Sequence, residues 1–576
     1  MEATVTVILM KSVFQWAISG GWVLAALVWG AGCAGVGEGR RGVAPPAAAP
    51  CRPLVPRFED QTSSAGLDGV SASYVNWLDA DGDGGVDLLV NGNRLFRNTC
   101  ADTIGFEEVS SAAGLGSAKR GPALCVDMDN DGDTDILSTR GHLWRNDGAG
   151  RFSDVAAAAG FRPHAKSNVI GCGDVDGDGF VDFYIGMKED WNAGKPVYYP
   201  HELWLSHEGT ALEEVGREAG IDIRRYARSV LFADVDGDGL SDIFVGNYRL
   251  QANVLWRNLG GVRFEDRAKG LGVQGRYQPG KFQDSVARGS YGPRYGHTIG
   301  ACWLDIDNDG SLDLFTANLV HKYVGPSSRE TLRYDIRGYV CDDSAIYRRS
   351  GKRFEDWRDR LGVPRRPIGG PGVYEGDELW AGCTPGDVNN DGWEDVFVPQ
   401  IYNLPYARSV LLLNGCGQVF EDAAVQAGIR RIDTYAGALA DVDGDGLVDV
   451  ATAGRPRKGA APSLCLYRNT GSGEIAGLAW VKVRVAPGGS RQTVIGTTVK
   501  VYAGDLVQTR LVSAGSSTYG QQNEPDLHFG LGALSGGVRI QVTWPSGRTD
   551  ASAVRPGSRT VFRLSSEHDS FERTAL

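Results

Sequence analysis

The sequence contains no G-x-S-x-G, no H-E-x-x-H and no C-x-x-C string. The usual signatures of a serine nucleophile, a helix-borne zinc and a redox dithiol are therefore missing. Asn-x-Ser/Thr glycosylation sites are missing too. Glycine supplies 80 of the 576 residues yet follows no G-X-Y period, so a collagen-like chain is excluded. Acidic residues number 71 against 59 basic ones, for a net charge of −12, but they form no acidic tail. They lie in short clusters of identical spacing, a pattern that suggests metal binding and disfavours nucleic acid. Hydrophobic residues make up 42% of the chain, enough for a large core. Glycine then reads as punctuation between many short strands.

Only one long apolar run stands out, within residues 12–35, and it includes Trp22 to Trp29. Lys11 precedes it and Gly30-Ala31-Gly32-Cys33 closes it. Charge, apolar stretch and small-residue end make a secretory signal over residues 1–35, and the expected location is extracellular, cell-surface or periplasmic. Cleavage is either ordinary or of lipoprotein type with a lipid on Cys33; a retained anchor helix is the alternative. That lipid would be the only membrane contact. Proline-rich residues 36–56 read as a tether. Export permits disulfides among the ten cysteines. Cys51/Cys100, Cys341/Cys383 and Cys416/Cys465 are candidate pairs, and Cys125 and Cys172 hold equivalent repeat positions. Small buried strand residues are the other reading.

The repeat organises everything else. D-x-[DN]-x-D-G-x-x-D occurs seven times, beginning at Asp79, Asp127, Asp174, Asp234, Asp305, Asp387 and Asp441. An apolar-aromatic segment follows each copy, usually ending in Arg-Asn, as in Leu143-Trp144-Arg145-Asn146 and Leu255-Trp256-Arg257-Asn258. Then comes F-x-[DE], as in Phe264-Glu265-Asp266, with Leu212-Glu213-Glu214 as the degenerate copy. Each unit reads as four strands, and four-stranded units repeated radially make a propeller. The chain enters on a fourth-strand segment at Phe58 and leaves its last unit on a third-strand segment at Asn469. The N-terminal strand is thus the piece the last unit lacks. The expected fold is all-β: a seven-bladed β-propeller over residues 57–470, then a small antiparallel β-domain over 476–565 and a tail over 566–576.

Carboxylates at loop positions 1, 3, 5 and 9 can converge on one hard cation, with glycine at position 6 giving the bend. The expected Ca²⁺ ligands, about seven sites in all, are Asp79, Asp81, Asp83 and Asp87; Asp127, Asp129, Asp131 and Asp135; Asp174, Asp176, Asp178 and Asp182; Asp234, Asp236, Asp238 and Asp242; Asp305, Asp307, Asp309 and Asp313; Asp387, Asn389, Asp391 and Asp395; Asp441, Asp443, Asp445 and Asp449. Asn389 leaves the sixth loop one charge short, so it is expected to be the weakest. No glutamate stands at position 12, and β-type residues such as Leu88-Leu89-Val90 flank the loop, so it joins two strands and is no EF-hand. It resembles the calcium loops of FG-GAP (VCBS) propeller repeats.

Residues 479–565 alternate in polarity, as in Trp480 to Val485 and Val538 to Trp544, which indicates a half-buried β-domain. Gly496-Thr497, Gln508-Thr509-Arg510, Ser516-Ser517, Gln521-Gln522, Leu527-His528-Phe529-Gly530-Leu531-Gly532 and Trp544-Pro545-Ser546-Gly547 resemble the ASPIC/UnbV domain. With the upstream repeats, the chain from about residue 57 resembles the cartilage acidic protein-like (CRTAC/ASPIC-UnbV) family. Thr497 departs from the alanine more usual there. The resemblance implies an extracytoplasmic calcium-binding protein and little about a reaction.

For function, the leading expectation is a calcium-stabilised binding or adhesion module, monomeric, with a protein or glycan ligand and no catalytic residues. The insertions near residues 272–300, 317–345 and 364–382 hold Arg288, Tyr291, Arg294, Tyr295, Tyr323, Arg333, Tyr334, Arg337, Tyr339, Tyr374 and Trp380. Such residues could grip an anionic glycan or peptide. One alternative is a polysaccharide lyase or hydrolase using His297; another is an envelope assembly scaffold. His528 reads as structural.

Overall fold

The computed structural model describes residues 51–99, 103–116, 118–193, 195–277, 282–284, 290–291, 294–319, 324–326, 343–365, 378–401, 408–454, 463–488, 492–534, 536–565 and 573–575. The expected signal, Cys33, Cys100, Cys341 and most of the insertion residues named above lie outside them. Apart from one helical turn at Ala268–Leu271 and a 3-10 turn at Ile475–Gly477, the regular elements are β-strands. Among the described residues no helix is long and apolar enough to cross a membrane.

Each acidic signature joins the first two strands of a four-stranded antiparallel sheet. In the fourth unit, Ala227–Ala233 pairs with Asp242–Asn247, that strand with Val254–Asn258, and that with Phe264–Asp266. The same order is built outward from Val75–Leu78, Ala123–Val126, Ser167–Gly173, Thr298–Leu304, Thr384–Gly386 and Thr434–Ala440. All seven residues of Ala227–Ala233 are buried, which is why, Arg228 apart, such segments read as continuous apolar or small runs. The last of these sheets takes its outer strand from the other end of the chain. Phe58–Asp60 runs antiparallel to Cys465–Asn469, with Phe58 opposite Asn469.

The first strands touch one another in chain order, and Thr434–Ala440 touches Val75–Leu78, so the series returns to its start. Neighbouring sheets enclose apolar clusters. Leu231, Phe244 and Leu314 fill the one between the fourth and fifth sheets. Trp77, Leu88 and Phe96 of the first sheet meet Ala438, Ala451 and Leu466 of the seventh.

Two backbone devices repeat around this series. At the rim, the turn after one outer strand receives the next: Phe106 N donates to Ala65 O at 2.9 Å and Phe58 N to Ala427 O at 2.8 Å. Gly66 sits in that turn at φ +77°, and a Cβ there would lie 2.9 Å from Phe106 O. The asparagine of the Arg-Asn segment reaches back one sheet. Asn146 Nδ2 donates to Ala80 O at 2.8 Å, Asn258 to Val175 O at 2.8 Å, Asn414 to Ile306 O at 2.9 Å and Asn469 to Val388 O at 2.8 Å. Asn98 donates to Val442 O at 3.1 Å, linking the first sheet to the seventh.

The C-terminal residues form two more four-stranded sheets. One contains Ala479–Gly488 between Leu527–Gly532 and Ser558–Ser565, with Arg573–Ala575 outermost. The other contains Leu506–Leu511, Thr498–Ala503, Val538–Thr543 and Thr549–Val554. Val481, Val483, Val501, Phe529, Ile540, Trp544 and Phe562 share their core. The expectation of a purely antiparallel unit needs correction, because Ala479–Gly488 and Ser558–Ser565 pair in parallel. The long stretch between them supplies the crossover that a parallel pair requires.

From these sheets residues 515–524 pass among the first strands. Asn76 Nδ2 donates to Gly520 O at 2.9 Å, and Cys125 N to Gln522 Oε1 at 2.7 Å. Ser229 Oγ donates to Ser517 O at 2.6 Å, and Ser517 N to Ala301 O at 2.8 Å. Asn523 Nδ2 donates to Pro385 O at 3.0 Å, and Gly437 N to Gln521 Oε1 at 3.0 Å. A Cβ on Gly520 would lie 2.7 Å from Ile170 O. The segment therefore meets the first strand of every one of the seven sheets.

Two further sequence expectations fail. Cys51 bonds to Cys416, with Cα atoms 5.9 Å apart, while Cys383 and Cys465 are free and buried. The chain approaching Phe58 runs past the turn that holds Cys416, whereas Cys465 faces the core between the sixth and seventh sheets. Residues 51–56, expected as tether, are held in place: Leu54 O accepts from Asn389 Nδ2 at 3.0 Å, and Val55 O from Ser472 Oγ at 2.7 Å.

Phe58→Ala removes the buried aromatic of the shared sheet and should cost about 3–5 kcal/mol in urea unfolding. An unchanged midpoint would contradict an integral role for the N-terminal strand.

Candidate metal centres

Each acidic loop is a small machine for holding carboxylates close. Position 4 is Gly or Asn in all seven copies because the backbone there is left-handed: Gly82, Asn130, Gly177, Gly237, Asn308, Asn390 and Gly444 all have φ between 53° and 80°. Where it is Asn, the side chain also bridges to the next loop. Asn130 Nδ2 donates to Gly179 O at 3.0 Å, Asn308 to Gly392 O at 3.0 Å and Asn390 to Gly446 O at 2.9 Å.

The four acidic positions divide the work. Position 9 is a buried staple. Asp242 Oδ2 accepts from Val235 N at 3.2 Å and its Oδ1 from Asn258 N at 2.8 Å. Asp87, Asp135, Asp182, Asp313, Asp395 and Asp449 bind the two matching amides in their own units. Position 5 accepts the amide of position 7, as Asp178 does from Phe180 N at 2.8 Å. Position 1 caps the loop backbone, as Asp174 does from Gly177 N at 2.7 Å and Gly179 N at 3.0 Å.

Some oxygens are left over. Asp79, Asp81, Asp129, Asp307, Asp387, Asp441 and Asp443 each have an Oδ1 that is buried with no hydrogen-bond partner. Among the described residues, carboxylates of the first five loops each bring an oxygen within 4.8 Å of two others: Asp79/Asp81/Asp83, Asp127/Asp129/Asp135, Asp174/Asp176/Asp182, Asp234/Asp236/Asp242 and Asp305/Asp307/Asp313. Buried, unpartnered hard oxygens crowded in this way fit a divalent cation with oxygen ligands. Asp131, Asp178, Asp238 and Asp309, equally expected from the sequence, stand outside those triplets.

Outer oxygens are answered by the arginine of the Arg-Asn segment. Arg257 Nε donates to Asp236 Oδ2 at 2.5 Å and its Nη2 to Asp238 Oδ2 at 3.1 Å. Arg348 spans Asp307 and Asp309 at 2.5 and 2.6 Å, and Arg468 spans Asp443 and Asp445 at 2.6 and 2.8 Å. In the sixth loop Asn389 Nδ2 donates to Asp391 Oδ2 at 2.9 Å, so an amide stands where other loops place a carboxylate.

Burial, reinforced by neighbouring carboxylates, pushes the Asp87, Asp135 and Asp242 carboxyls up to about 7 and Asp313 up to about 8. Their backbone hydrogen bonds act the other way.

The C-terminal sheets lie against these loops. Gly530 N donates to Asp387 Oδ2 at 3.1 Å, Thr493 N to Gly179 O at 2.6 Å, and Lys482 Nζ approaches Glu524 at 2.6 Å and Asp441 at 3.4 Å. His528 Nε2 meets Asn390 Oδ1 at 2.6 Å. Burial and nearby Lys482 and Arg510 push His528 down to about 3, so it is neutral and acts as a link to the sixth loop. His297 is fully buried, its ring centroid 3.7 Å from that of Tyr248. Trp380 is core, packed on Phe315 at 5.7 Å.

Sheets built on these loops, followed by a C-terminal β-unit, define an all-β repeat protein. Residues 127–185 match the FG-GAP-like repeat family, and residues 487–566 the ASPIC and UnbV family. Cartilage acidic protein 1 of Xenopus tropicalis is 24% identical over 73% of this chain and 58% of its own length. The Homo sapiens protein of the same name is 24% identical over 70% and 54%. This chain thus spans a little over half the length of these relatives. These matches make the chain similar, over most of its length, to the cartilage acidic protein-like (CRTAC/ASPIC-UnbV) family. Among solved structures, Saccharomyces cerevisiae Sqt1 aligns over 73% of this chain and 100% of that one at 12% identity and a TM-score of 0.34, a likeness too slight to bear on function.

The raised carboxyls give a signed pH effect. Their folded-state values exceed the ordinary carboxylate value of about 4, so the metal-free native state takes up protons first as pH falls. That contribution is present at low pH and lost as pH rises through about 7–8. The metal-free protein should therefore have a higher urea midpoint at pH 5.5 than at pH 8. The reverse order would contradict the burial of these carboxyls.

Proposed function

We propose that this is an exported, calcium-stabilised binding protein: a seven-bladed β-propeller capped by the ASPIC/UnbV domain, without catalysis. The observation that carries the calcium assignment is the set of buried, unpartnered Oδ1 atoms, found in the first, second, fifth, sixth and seventh loops. Positions 1, 3 and 9, with position 5 in some loops, would hold the ion. It would cancel the repulsion that otherwise raises the carboxyls, and would fix the turn between the two inner strands of each blade. At millimolar calcium each site would add roughly 0.5–2 kcal/mol, so the set together rivals a domain's whole stability. Its job is structural. It makes a rigid frame whose face opposite the acidic loops would take the ligand.

The relatives' name, cartilage acidic protein, together with the expected signal, favours a location outside the cytoplasm. A binding role is favoured over the enzyme reading because His297, the base that reading needs, is wholly buried.

Elemental analysis after dialysis in buffered calcium should find six to seven calciums per chain. Chelation should lower the melting temperature by about 10 °C or more. Zero to two calciums, or a stoichiometric transition metal, would overturn the reading. Asp307→Ala, which removes an oxygen with no other partner, should reduce the count by about one; an unchanged count would remove the fifth loop from the set.

A further inference from the structure

The first strands each run towards the end bearing the acidic loops. At the opposite end, Tyr74, Tyr226 and Tyr435 stand where three of these strands begin, and Tyr248 follows a second strand. Tyr519, from the segment threaded between the first strands, meets them there. Its ring is 5.0 Å from Tyr74, and Tyr226 is 5.1 Å from Tyr248. All five tyrosines are partly exposed.

Arg228 lies among them and is only 6% exposed. Its guanidinium rests 4.4 Å from the Tyr519 ring centre, 5.3 Å from Tyr248 and 5.8 Å from Tyr226. Its buried Nε has no hydrogen-bond partner, and no described residue forms an ion pair with it. Burial raises the Tyr74, Tyr248 and Tyr519 phenols, so they are neutral and supply no counter-charge. Other buried cations of this protein are paired: Arg358 with Glu378 at 2.6 Å, Lys482 with Glu524 at 2.6 Å, Arg510 with Glu394 at 3.2 Å. Even the neighbouring Arg249 donates to Glu189 at 2.8 Å. A buried charge with no counter-ion costs free energy, and the fold keeps it at the mouth of a closed ring.

We propose that Arg228 and the surrounding tyrosines form a binding site for an oxyanion carried on a sugar ring, a carboxylate or sulfate of an acidic saccharide. This deepens the binding reading above and rests on it. The guanidinium supplies donors for the anion, and the tyrosines offer ring faces for the sugar's C–H face and hydroxyls for its rim. A peptide adding as a strand is disfavoured, because the inner strands already bond to the threaded segment, as Ala301 does to Ser517.

The test titrates the full chain, in millimolar calcium, with a glucuronate oligosaccharide, a sulfated hexose, the matching neutral hexose and a glutamate-rich peptide. Saturable binding of the uronate or the sulfated sugar is expected, the two arms telling which anion is preferred. Arg228→Met should weaken it about ten- to hundredfold, and Tyr226→Ala by about three- to tenfold. Because no described residue forms an ion pair with Arg228, Arg228→Met should keep or raise the melting temperature, an outcome that a purely structural arginine would not give. No binding of either acidic sugar, equal binding of the neutral hexose, tighter binding of the peptide, unchanged affinity in Arg228→Met, or a large fall in its melting temperature would each overturn the proposal. The calcium content of the same sample reads the calcium assignment separately, so full calcium without saccharide binding sinks this inference alone.

Discussion

Four carboxylates within nine residues repel one another, and the rest of the structure depends on how that repulsion is answered. Two kinds of answer are built into the chain. Backbone amides bind the buried position-9 aspartates, as Val235 N and Asn258 N bind Asp242. Arginines bind the outer oxygens of positions 3 and 5. Neither reaches the unpartnered Oδ1 atoms of residues such as Asp129, Asp307 and Asp441. Calcium is the proposed third answer, and it would make local stability conditional on the ion.

Consequences spread from loop to sheet. Because Asp242 binds the amide of Asn258, the acidic turn and the third strand form together. Because Asn258 Nδ2 donates to Val175 O, the third strand also holds the preceding loop. One repeat signature thus couples neighbouring sheets, and the Asn98–Val442 bond carries the coupling from the first sheet to the seventh. The threaded segment 515–524 adds a second tie, inside the ring rather than at its edge. C-terminal residues also contact loop atoms directly, through Gly530 and Asp387 among others. Loss of ions at the loops should therefore be felt by the C-terminal sheets.

Much of this was legible in the sequence. Seven copies of one acidic pattern, in step with two apolar signatures, gave the strand order of each unit and the role of Phe58–Asp60. The Gly-or-Asn rule at position 4 was also present in the string and marks a left-handed residue. The Arg-Asn segment was read only as a strand, although its regularity reflects what both side chains do between loops. Disulfide pairing was not legible, since Cys51 meets Cys416 only after the chain ends share a sheet. Residues 515–524 look like a polar surface loop, because their glycines, hydroxyls and amides satisfy inner-strand backbone instead of water. Arg228 gave no signal either: its separation from the carboxylates of the described residues exists only in three dimensions.

The most direct test is a diffraction experiment on calcium-loaded crystals, with anomalous data collected at a wavelength where calcium scatters strongly and arginine does not. The account predicts peaks inside the acidic loops, bounded by the Oδ1 atoms of positions 1 and 3, with the weakest in the loop of Asn389. Loops without peaks, their Oδ1 atoms bonded to arginine or water alone, would contradict it.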